Sequence, residues 1–324
     1  MKNLTSISIS FLFISCFSLQ AQDPQFSQFY SNPVYLNPAL VGTANQYRAS
    51  LIHRQQGEAA FGYTTSAFSF DGSIGSGSSG WGVQVISDNQ SDLIHTTSYS
   101  MSLSHRIDIS KNSQFGLGVR VGAYKKALNL NKLTFEDQLD GRNGVVNSTN
   151  EEMEQDLIQN ADVAVGLLYM SDNFFAGVNI NHLNNPSENN LNNTDAKLAK
   201  RYTLHAGGFL YSKNYRRADY VLSPNVIYER QGTSSYVNLG MYFSTEIWTV
   251  GAWYRWDDAV IASLGANLGK IKLGYSHDLP VKKYDSMNGN AHELSLNYTF
   301  ELPKKFKLKN RYKGQCPKFY QYLY

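Results

Sequence analysis

The sequence predicts an all-β fold, a transmembrane antiparallel up-and-down β-barrel of about 14 strands. Apolar and polar residues alternate with a period of two, the connections alternate between long and short, and aromatic residues lie near the ends of the apolar faces. Charged residues form 17% of the 324-residue chain and aromatic residues 13%, which excludes a disordered chain. No apolar run reaches the roughly 18–20 residues of a membrane-spanning helix, and two cysteines exclude a disulfide scaffold.

Residues 1–21 have the features of a secretory signal peptide. An apolar run diluted with serine follows Lys2, and Ala21 is a small residue at a cleavage position. We therefore expect the mature chain to begin at Gln22. Removal of the peptide leaves Cys316 as the one cysteine, so no internal disulfide is expected.

The barrel itself is expected over residues 45–301. Trp248 and Val250 alternate with Thr249 and Gly251, for example, so that one face of the strand is apolar and the other is small or polar. About fourteen segments show this pattern. They lie near 46–55, 61–71, 80–88, 94–107, 113–125, 161–171, 173–183, 200–212, 218–229, 234–244, 246–256, 259–268, 270–278 and 290–301.

The lengths of the connections favour a membrane barrel. Long connections all have odd numbers in chain order, and short ones even numbers, with a moderately long second connection at 71–80 as the exception. Outer-membrane barrels have short periplasmic turns and longer external loops, so this alternation predicts which end of each strand faces the periplasm. The long connections are 126–160, 184–199 and 279–289, and the short ones are 108–112, 172, 213–217, 245 and 269.

The aromatic residues indicate that the apolar face meets lipid. Outside a membrane they would form an exposed patch well above the few hundred Å² that is usual for monomers. A secreted soluble β-protein is the alternative, although a soluble propeller would need a repeat of about 40 residues that the sequence lacks. The residues expected in interfacial girdles are Tyr99, Trp248, Trp256, Tyr298 and Phe300.

A barrel of about 14 strands is wider than one filled by its own side chains and narrower than an open porin. We therefore expect the lumen to hold a small plug, loops or water. Basic residues on the inward face predict a hydrated interior. These residues are Arg48, Arg54, Arg120, Arg255, Lys270 and Lys272.

Catalytic and cofactor signatures are weak, and we expect no enzyme, metal or cofactor. The glycine-rich run at 75–80 precedes a strand, so it lacks the helix N-terminus that would hold a phosphate. The seven histidines are dispersed in the sequence. Adjacent Ser104 and His105 point to opposite faces of a strand and cannot pair directly. A barrel enzyme with a rim serine and histidine stays open as a minor alternative.

The fifth connection is strongly acidic. Between residues 136 and 156 it holds seven acidic residues and one arginine. A solvated surface loop is the simplest interpretation, and contact with a surface partner is the alternative.

Residues 22–44 form a proline-rich and aromatic-rich segment that is not a continuous strand. Its aromatic residues require burial, which places it at the periplasmic mouth or within the lumen, and a disordered leader is the alternative. The segment resembles the opening of the PorP/SprF family of outer-membrane proteins of the type IX secretion and gliding machinery. The matching residues are Gln22, Asp23, Pro24, Phe26, Ser27, Gln28, Asn37, Pro38, Ala39 and Gly42.

The resemblance implies a non-enzymatic outer-membrane protein that assists the export, anchoring or surface display of a large adhesin or other cargo. It also implies contacts with the cargo, with periplasmic or outer-membrane components of the type IX machinery and with outer-membrane lipid. The alternative is an outer-membrane channel for small solutes or fatty acids. Nucleic acid is not an expected partner, because a net charge of +3 is small for this length.

Residues 302–324 form a basic and aromatic tail that follows the last expected strand. A periplasmic tail is expected, as is a periplasmic N-terminal segment. We predict that the tail docks to a periplasmic partner, and a tail that stays in solvent near inner-leaflet phosphates is the alternative. The residues predicted for docking are Lys304, Lys305, Lys307, Lys309, Arg311, Lys313, Cys316, Phe319 and Tyr320.

Overall fold

The computed structural model shows a closed barrel of fourteen antiparallel strands with residues 22–44 inside it. The predicted signal peptide and the C-terminal tail lie outside the described residues. The structure describes residues 22–44, 46–57, 62–75, 77–129, 134, 138–140, 144–145, 157–188, 197–211, 220–281 and 289–301.

Fourteen strands form the barrel wall. A short continuation at Leu210–Tyr211 follows the eighth strand, and Leu139–Asp140 pairs with Gly144–Val145 in a separate small hairpin. The strands are β1 Tyr47–Gln56, β2 Tyr63–Ile74, β3 Ser79–Gln90, β4 Ile94–Ser110, β5 Ser113–Leu128, β6 Leu157–Ser171, β7 Phe174–Asn181, β8 Arg201–Gly208, β9 Val221–Gln231, β10 Ser234–Ser244, β11 Trp248–Arg255, β12 Ala259–Leu268, β13 Ile271–Pro280 and β14 Ala291–Phe300.

The sheet closes where β1 meets β14. Tyr47 pairs with Phe300 at one end of this seam and Gln56 pairs with Ala291 at the other. Each strand has an antiparallel neighbour on both sides, so the sheet has no open edge along its length. The predicted up-and-down barrel of about 14 strands is confirmed. Among the described helices, none is long and apolar enough to cross a membrane.

The wall has an inward face that is buried and an outward face that is exposed and apolar. In β1, the inward-facing Ile52 and Arg54 are buried, while the outward-facing Leu51 is exposed. At one end of the barrel Tyr47 stacks against Phe70 and Phe300, with ring centroids 6.0 and 5.8 Å apart. Such a belt is typical of the membrane interface. Tyr99, Trp248, Trp256 and Tyr298 are also exposed on the outward face.

The connections fall into two sets at opposite ends of the barrel, which we name the long-loop mouth and the short-turn mouth. The length predicted for the connection at 71–80 is wrong, because β2 extends to Ile74 and β3 begins at Ser79. The connection predicted at 213–217 lies outside the described residues. The long-loop mouth carries 57–62, 91–93, 129–156, 182–200, 232–233, 256–258 and 281–290. The short-turn mouth carries 75–78, 111–112, 172–173, 212–220, 245–247 and 269–270.

Candidate functional site: a plugged lumen with two mouths

Residues 22–44 run through the lumen from one mouth to the other, and we call them the plug. Gln22 donates from Nε2 to Ser234 Oγ at 2.6 Å, beside the turn at 232–233 of the long-loop mouth. At the other end, Gly42 N donates to Asp71 Oδ2 at 2.8 Å near the short-turn mouth, and the chain then enters β1. Of the placements that the sequence left open, the lumen is the observed one.

Local sequence shapes the plug into three short helical turns, Phe29–Ser31, Pro33–Leu36 and Pro38–Leu40. Proline at the start of the last two suits a helical turn, because its fixed φ is compatible and no backbone donor is lost there. The side chain of Asn37 caps the last turn by accepting a hydrogen bond from Ala39 N at 2.9 Å. Gly42 has φ of +69°, a conformation that favours glycine.

The Asn37–Gly42 half of the plug lies directly against the wall. Asn37 Nδ2 donates to the backbone oxygens of Leu167 and Val178 at 3.1 and 3.2 Å. Inward glycines make this approach possible, since a Cβ at Gly118 would overlap Ala39 N and a Cβ at Gly166 would overlap Asn37 Oδ1. This half is therefore held by a close steric fit between two backbones together with polar contacts, in which Arg106 donates to Val41 O and Gly42 O at 3.1 Å each.

The Asp23–Gln28 half is held by polar side chains. Glu293 on β14 accepts from the backbone nitrogens of Ser27 and Gln28 at 2.7 and 2.9 Å. Ser27 Oγ donates to Asp278 Oδ2 at 2.6 Å, and Arg54 donates to Ser27 Oγ at 2.7 Å. The plug thus supplies hydrogen bonds to buried charges of the wall, which would be costly to leave unpaired.

The inward-facing basic residues were predicted to line a hydrated interior, but several of them are buried in ion pairs. Arg54 pairs with Asp278 at 2.9 Å, and Arg48 pairs with Asp71 at 2.9 Å, with all four side chains almost fully buried. The interior around them is a paired network rather than a water-filled wall. Arg120 and Arg255 are also buried inward, Lys272 is half-buried, and Lys270 is exposed in the turn between β12 and β13.

The acids of this network were missed by the sequence reasoning, although a signal existed. Asp71, Asp278 and Glu293 each occupy the inward positions of their strands, as the named arginines do. Reading the inward face for both signs of charge would have predicted ion pairs.

Ion pairs hold the start of the plug at the long-loop mouth. We call the group of Asp23, His182, Arg201 and Asp162 the latch. Asp23 Oδ2 lies 2.8 Å from His182 Nε2 and 3.4 Å from Arg201 Nη1, and His182 Nδ1 lies 2.8 Å from Asp162 Oδ1. Burial disfavours the charged form of Asp23, but His182 and Arg201 outweigh it and hold the pKa of this carboxyl well below its usual range. Burial also opposes the charge on His182, and the two aspartates overcome it and raise its pKa to about 9.

The aromatic residues of the plug form the centre of the lumen core. Phe29 packs on Trp253 at 5.0 Å between ring centroids, and Tyr30 packs on Phe175 at 5.8 Å. Phe26 contacts Tyr35 edge-on at 5.1 Å. The expectation that these residues need burial is confirmed, because all but the half-buried Tyr35 are buried.

A small cavity remains on one side of the plug. It has a volume of about 40 Å³ and is partly open to solvent. Thr249, Asn267 and Lys272 lie close to short turns, so the cavity borders the short-turn mouth. Gln28 and Ser31 of the plug, together with Tyr242, Ser263, Gly265, Gly274, Ser295 and Asn297, complete the main part of its lining.

Other candidate chemistry does not assemble in the described part of the chain. No group of three or more histidine, cysteine, aspartate or glutamate residues there is arranged to hold a metal ion. Ser104 Oγ donates inward to Val41 O at 2.7 Å, whereas His105 faces outward and contacts Ser79. Most of the acidic connection 136–156 and the predicted docking residues Lys304 to Tyr320 lie outside the described residues.

Comparison with known proteins identifies a family match over most of the chain. A family model described as "Type IX secretion system membrane protein PorP/SprF" matches residues 18–298. No curated protein matches the sequence.

Several solved outer-membrane proteins are similar in structure. The Acinetobacter baumannii outer membrane protein Omp33 is 9% identical with a TM-score of 0.43, over 79% of this chain and 98% of that one. The TodX deltaS2S3 mutant monoaromatic hydrocarbon channel is 10% identical with a TM-score of 0.47, over 83% and 94%. The KdgM porin is 9% identical with a TM-score of 0.39, over 78% and 99%. Similarity at this level has no bearing on what this chain binds.

Proposed function

The chain belongs to the PorP/SprF family of type IX secretion system membrane proteins, and we propose that it assists the export, anchoring or surface display of a large adhesin or other cargo. The family and the barrel support an outer-membrane role in type IX secretion. We propose that the role is one of binding and that it involves no catalysis by this chain.

The observation that carries this proposal is the plug. It contacts the wall along its length, from Gln22 at one mouth to Gly42 at the other, and buries aromatic and charged groups between. An extended polypeptide has no room to pass while these contacts exist. A plugged barrel therefore suits a protein that holds a partner at its mouths.

We propose the long-loop mouth as the cargo-binding face. Short turns face the periplasm in outer-membrane barrels, so the long-loop mouth is expected outside the cell. The exposed end of the plug belongs to this face, because Gln22 also accepts from Tyr236 Oη at 3.2 Å. The acidic connection 136–156 starts and ends at the same mouth.

This orientation changes the expected place of the N-terminus. Gln22 lies at the long-loop mouth, whereas Glu301 follows β14 at the short-turn mouth. The two ends of the described chain are thus on opposite sides of the barrel, and we propose that the start of the plug is exposed outside the cell. We propose that the tail is periplasmic and docks a component of the secretion machinery.

The cargo proposal is tested in a deletion strain. We expect loss of at least one large type IX cargo from the cell surface, measured by proteomics of proteins released by protease from intact cells, and recovery with the wild-type gene. Normal display of every such cargo would refute the proposal.

The tail proposal needs a separate truncation at residue 303. We expect the barrel to assemble at wild-type levels and to lose co-purification of a periplasmic partner. Unchanged co-purification would remove the proposed role of the tail.

A channel for small solutes or fatty acids is the second candidate, and the cavity at the short-turn mouth favours it. A channel predicts conductance or solute uptake by the purified protein in bilayers. Filling the cavity with Gly265→Trp would then reduce the conductance, while our binding proposal predicts no conductance in either protein.

A further inference from the structure

The outward wall carries a cluster of histidines that the sequence does not place together. His277 and His292 are directly opposed on β13 and β14. His53 on β1 is a diagonal neighbour, because it pairs with Leu294 while Gln55 pairs with His292. Three of the seven histidines, distant in the sequence, thus share one patch.

These side chains point away from the lumen. Ser276 and Asp278 flank His277 and are buried, Glu293 beside His292 is buried, and Ile52 and Arg54 on either side of His53 are buried. Since alternate residues of a strand face opposite sides, the histidines lie on the outer surface of the barrel.

The patch has a defined internal geometry. The rings of His277 and His292 stack at 4.4 Å between centroids with an interplanar angle of 16°. Tyr275 Oη is 2.8 Å from His292 Nδ1, and His53 Nδ1 is 2.9 Å from Ser66 Oγ. The cluster therefore joins imidazole and hydroxyl groups, both of which donate hydrogen bonds.

The position of the patch points to the boundary of the membrane. It lies next to the connection 281–290 of the long-loop mouth, and the outward residues that follow it toward the short-turn mouth are Leu294 and Leu296, both exposed. Polar side chains directly above an apolar band are at the level of lipid headgroups. They would be unfavourable deeper in the hydrocarbon.

We propose that this patch binds the phosphate of an anionic lipid headgroup. Imidazole and phenol groups donate hydrogen bonds to phosphate oxygens, and a protonated imidazole adds charge attraction. The outward residues of β13, β14 and β1 in this patch include no acid, because Asp278 and Glu293 face the lumen and pair with Arg54.

The proposal is tested by native mass spectrometry of the purified barrel. The probe is phosphatidylglycerol added in detergent, with phosphatidylcholine as the zwitterionic comparison. Replacement of His53, His277 and His292 by glutamine should weaken retention of phosphatidylglycerol about tenfold and leave phosphatidylcholine unchanged. His105→Gln is the matched control, since His105 faces outward on β4, four strands from β14 and toward the short-turn mouth, and should behave as wild type.

Three outcomes would overturn the proposal: equal phosphatidylglycerol retention by wild type and triple variant, an equal loss of phosphatidylcholine, or an equal loss in His105→Gln. Inorganic phosphate distinguishes the source of the ligand. If millimolar phosphate removes the retained lipid completely, the site is a free-phosphate site and the lipid assignment is wrong. The single variant His292→Gln keeps the test valid if the triple variant fails to fold.

Discussion

The two halves of the plug are held in the lumen by contacts of different kinds. The Asp23–Gln28 half is bound by charged and hydrogen-bonding side chains, whereas the Asn37–Gly42 half fits its backbone against inward glycines. The first half depends mainly on charges that must stay paired, whereas the second also requires the space beside the inward glycines to stay empty. Each half should therefore fail under a different kind of substitution.

The largest effect is expected from Glu293→Ala in the charged half. This change leaves Arg54 without one buried partner and two plug nitrogens without an acceptor. Breaking a buried pair costs about 3–5 kcal/mol. Thermal unfolding of the purified barrel should shift accordingly, and protease should cut the plug.

Glu188→Ala is the matched control for that change. Glu188 pairs with Lys126 at 3.2 Å in a more accessible setting, where a pair contributes at most about 1 kcal/mol. Equal stability losses in the two variants would contradict the claim that the plug is held by buried charge.

Gly118→Ala tests the fitted half and should have the next largest effect. The added Cβ would overlap the Ala39 nitrogen, so the plug backbone must move. Overpacking of this kind costs about 1–3 kcal/mol. Protease sensitivity should appear near Ala39 and spare Ser27, as read by mass spectrometry of the fragments.

Gly265→Ala serves as its control. A Cβ at Gly265 would meet its nearest neighbours at 3.5 Å, which is ordinary contact, and it borders the open cavity. A plug released equally by both substitutions would show that the close fit at Gly118 is unimportant.

A smaller effect is expected from Asp23→Asn at the latch. It weakens the contacts with His182 and Arg201 at the partly exposed end of the plug, at a cost of about 1 kcal/mol. Hydrogen exchange of the plug amides should rise near Asp23 and stay unchanged near Gly42. Uniform exchange along the plug would show that its halves do not act separately.

The latch should also depend on pH. The pKa of His182 is raised to about 9 from its ordinary 6.5, so its contribution is complete below about 6.5 and is lost as the pH rises through about 9. Asp23 has a lowered pKa, so its contribution is present above 3.8 and is lost only in stronger acid. Protection of the plug should thus fall between pH 7 and pH 10 in the wild type and change less in His182→Gln.

The barrel was predictable because each strand carries its own signal. The alternation around Trp248 and the parity of the connection lengths depend only on neighbouring residues, and both follow from the period of a strand. The burial of the plug aromatics was also predictable, because residues such as Phe29 and Tyr30 have no other apolar environment in an extended segment.

The direction of the plug and its partners required the assembled barrel. Ser27 meets Asp278 and Glu293 only after strands more than 250 residues away close around it. His277 and His292 likewise become a pair through the register of β13 with β14. Charge pairing within the lumen could partly have been predicted from the sequence, since Asp71 and Arg48 both lie at inward-facing positions of their strands.

The central claim, that the plug spans the lumen and reaches the cargo-binding mouth, is tested most directly by epitope accessibility on intact cells. One epitope is inserted after Gln22 and another in the turn at 232–233, which lies beside Gln22 at the long-loop mouth. A third follows Tyr324. We predict that antibody detects the first two on intact cells and the third only after the outer membrane is permeabilised. Detection of the epitope at 232–233 without the one after Gln22 would contradict the claim.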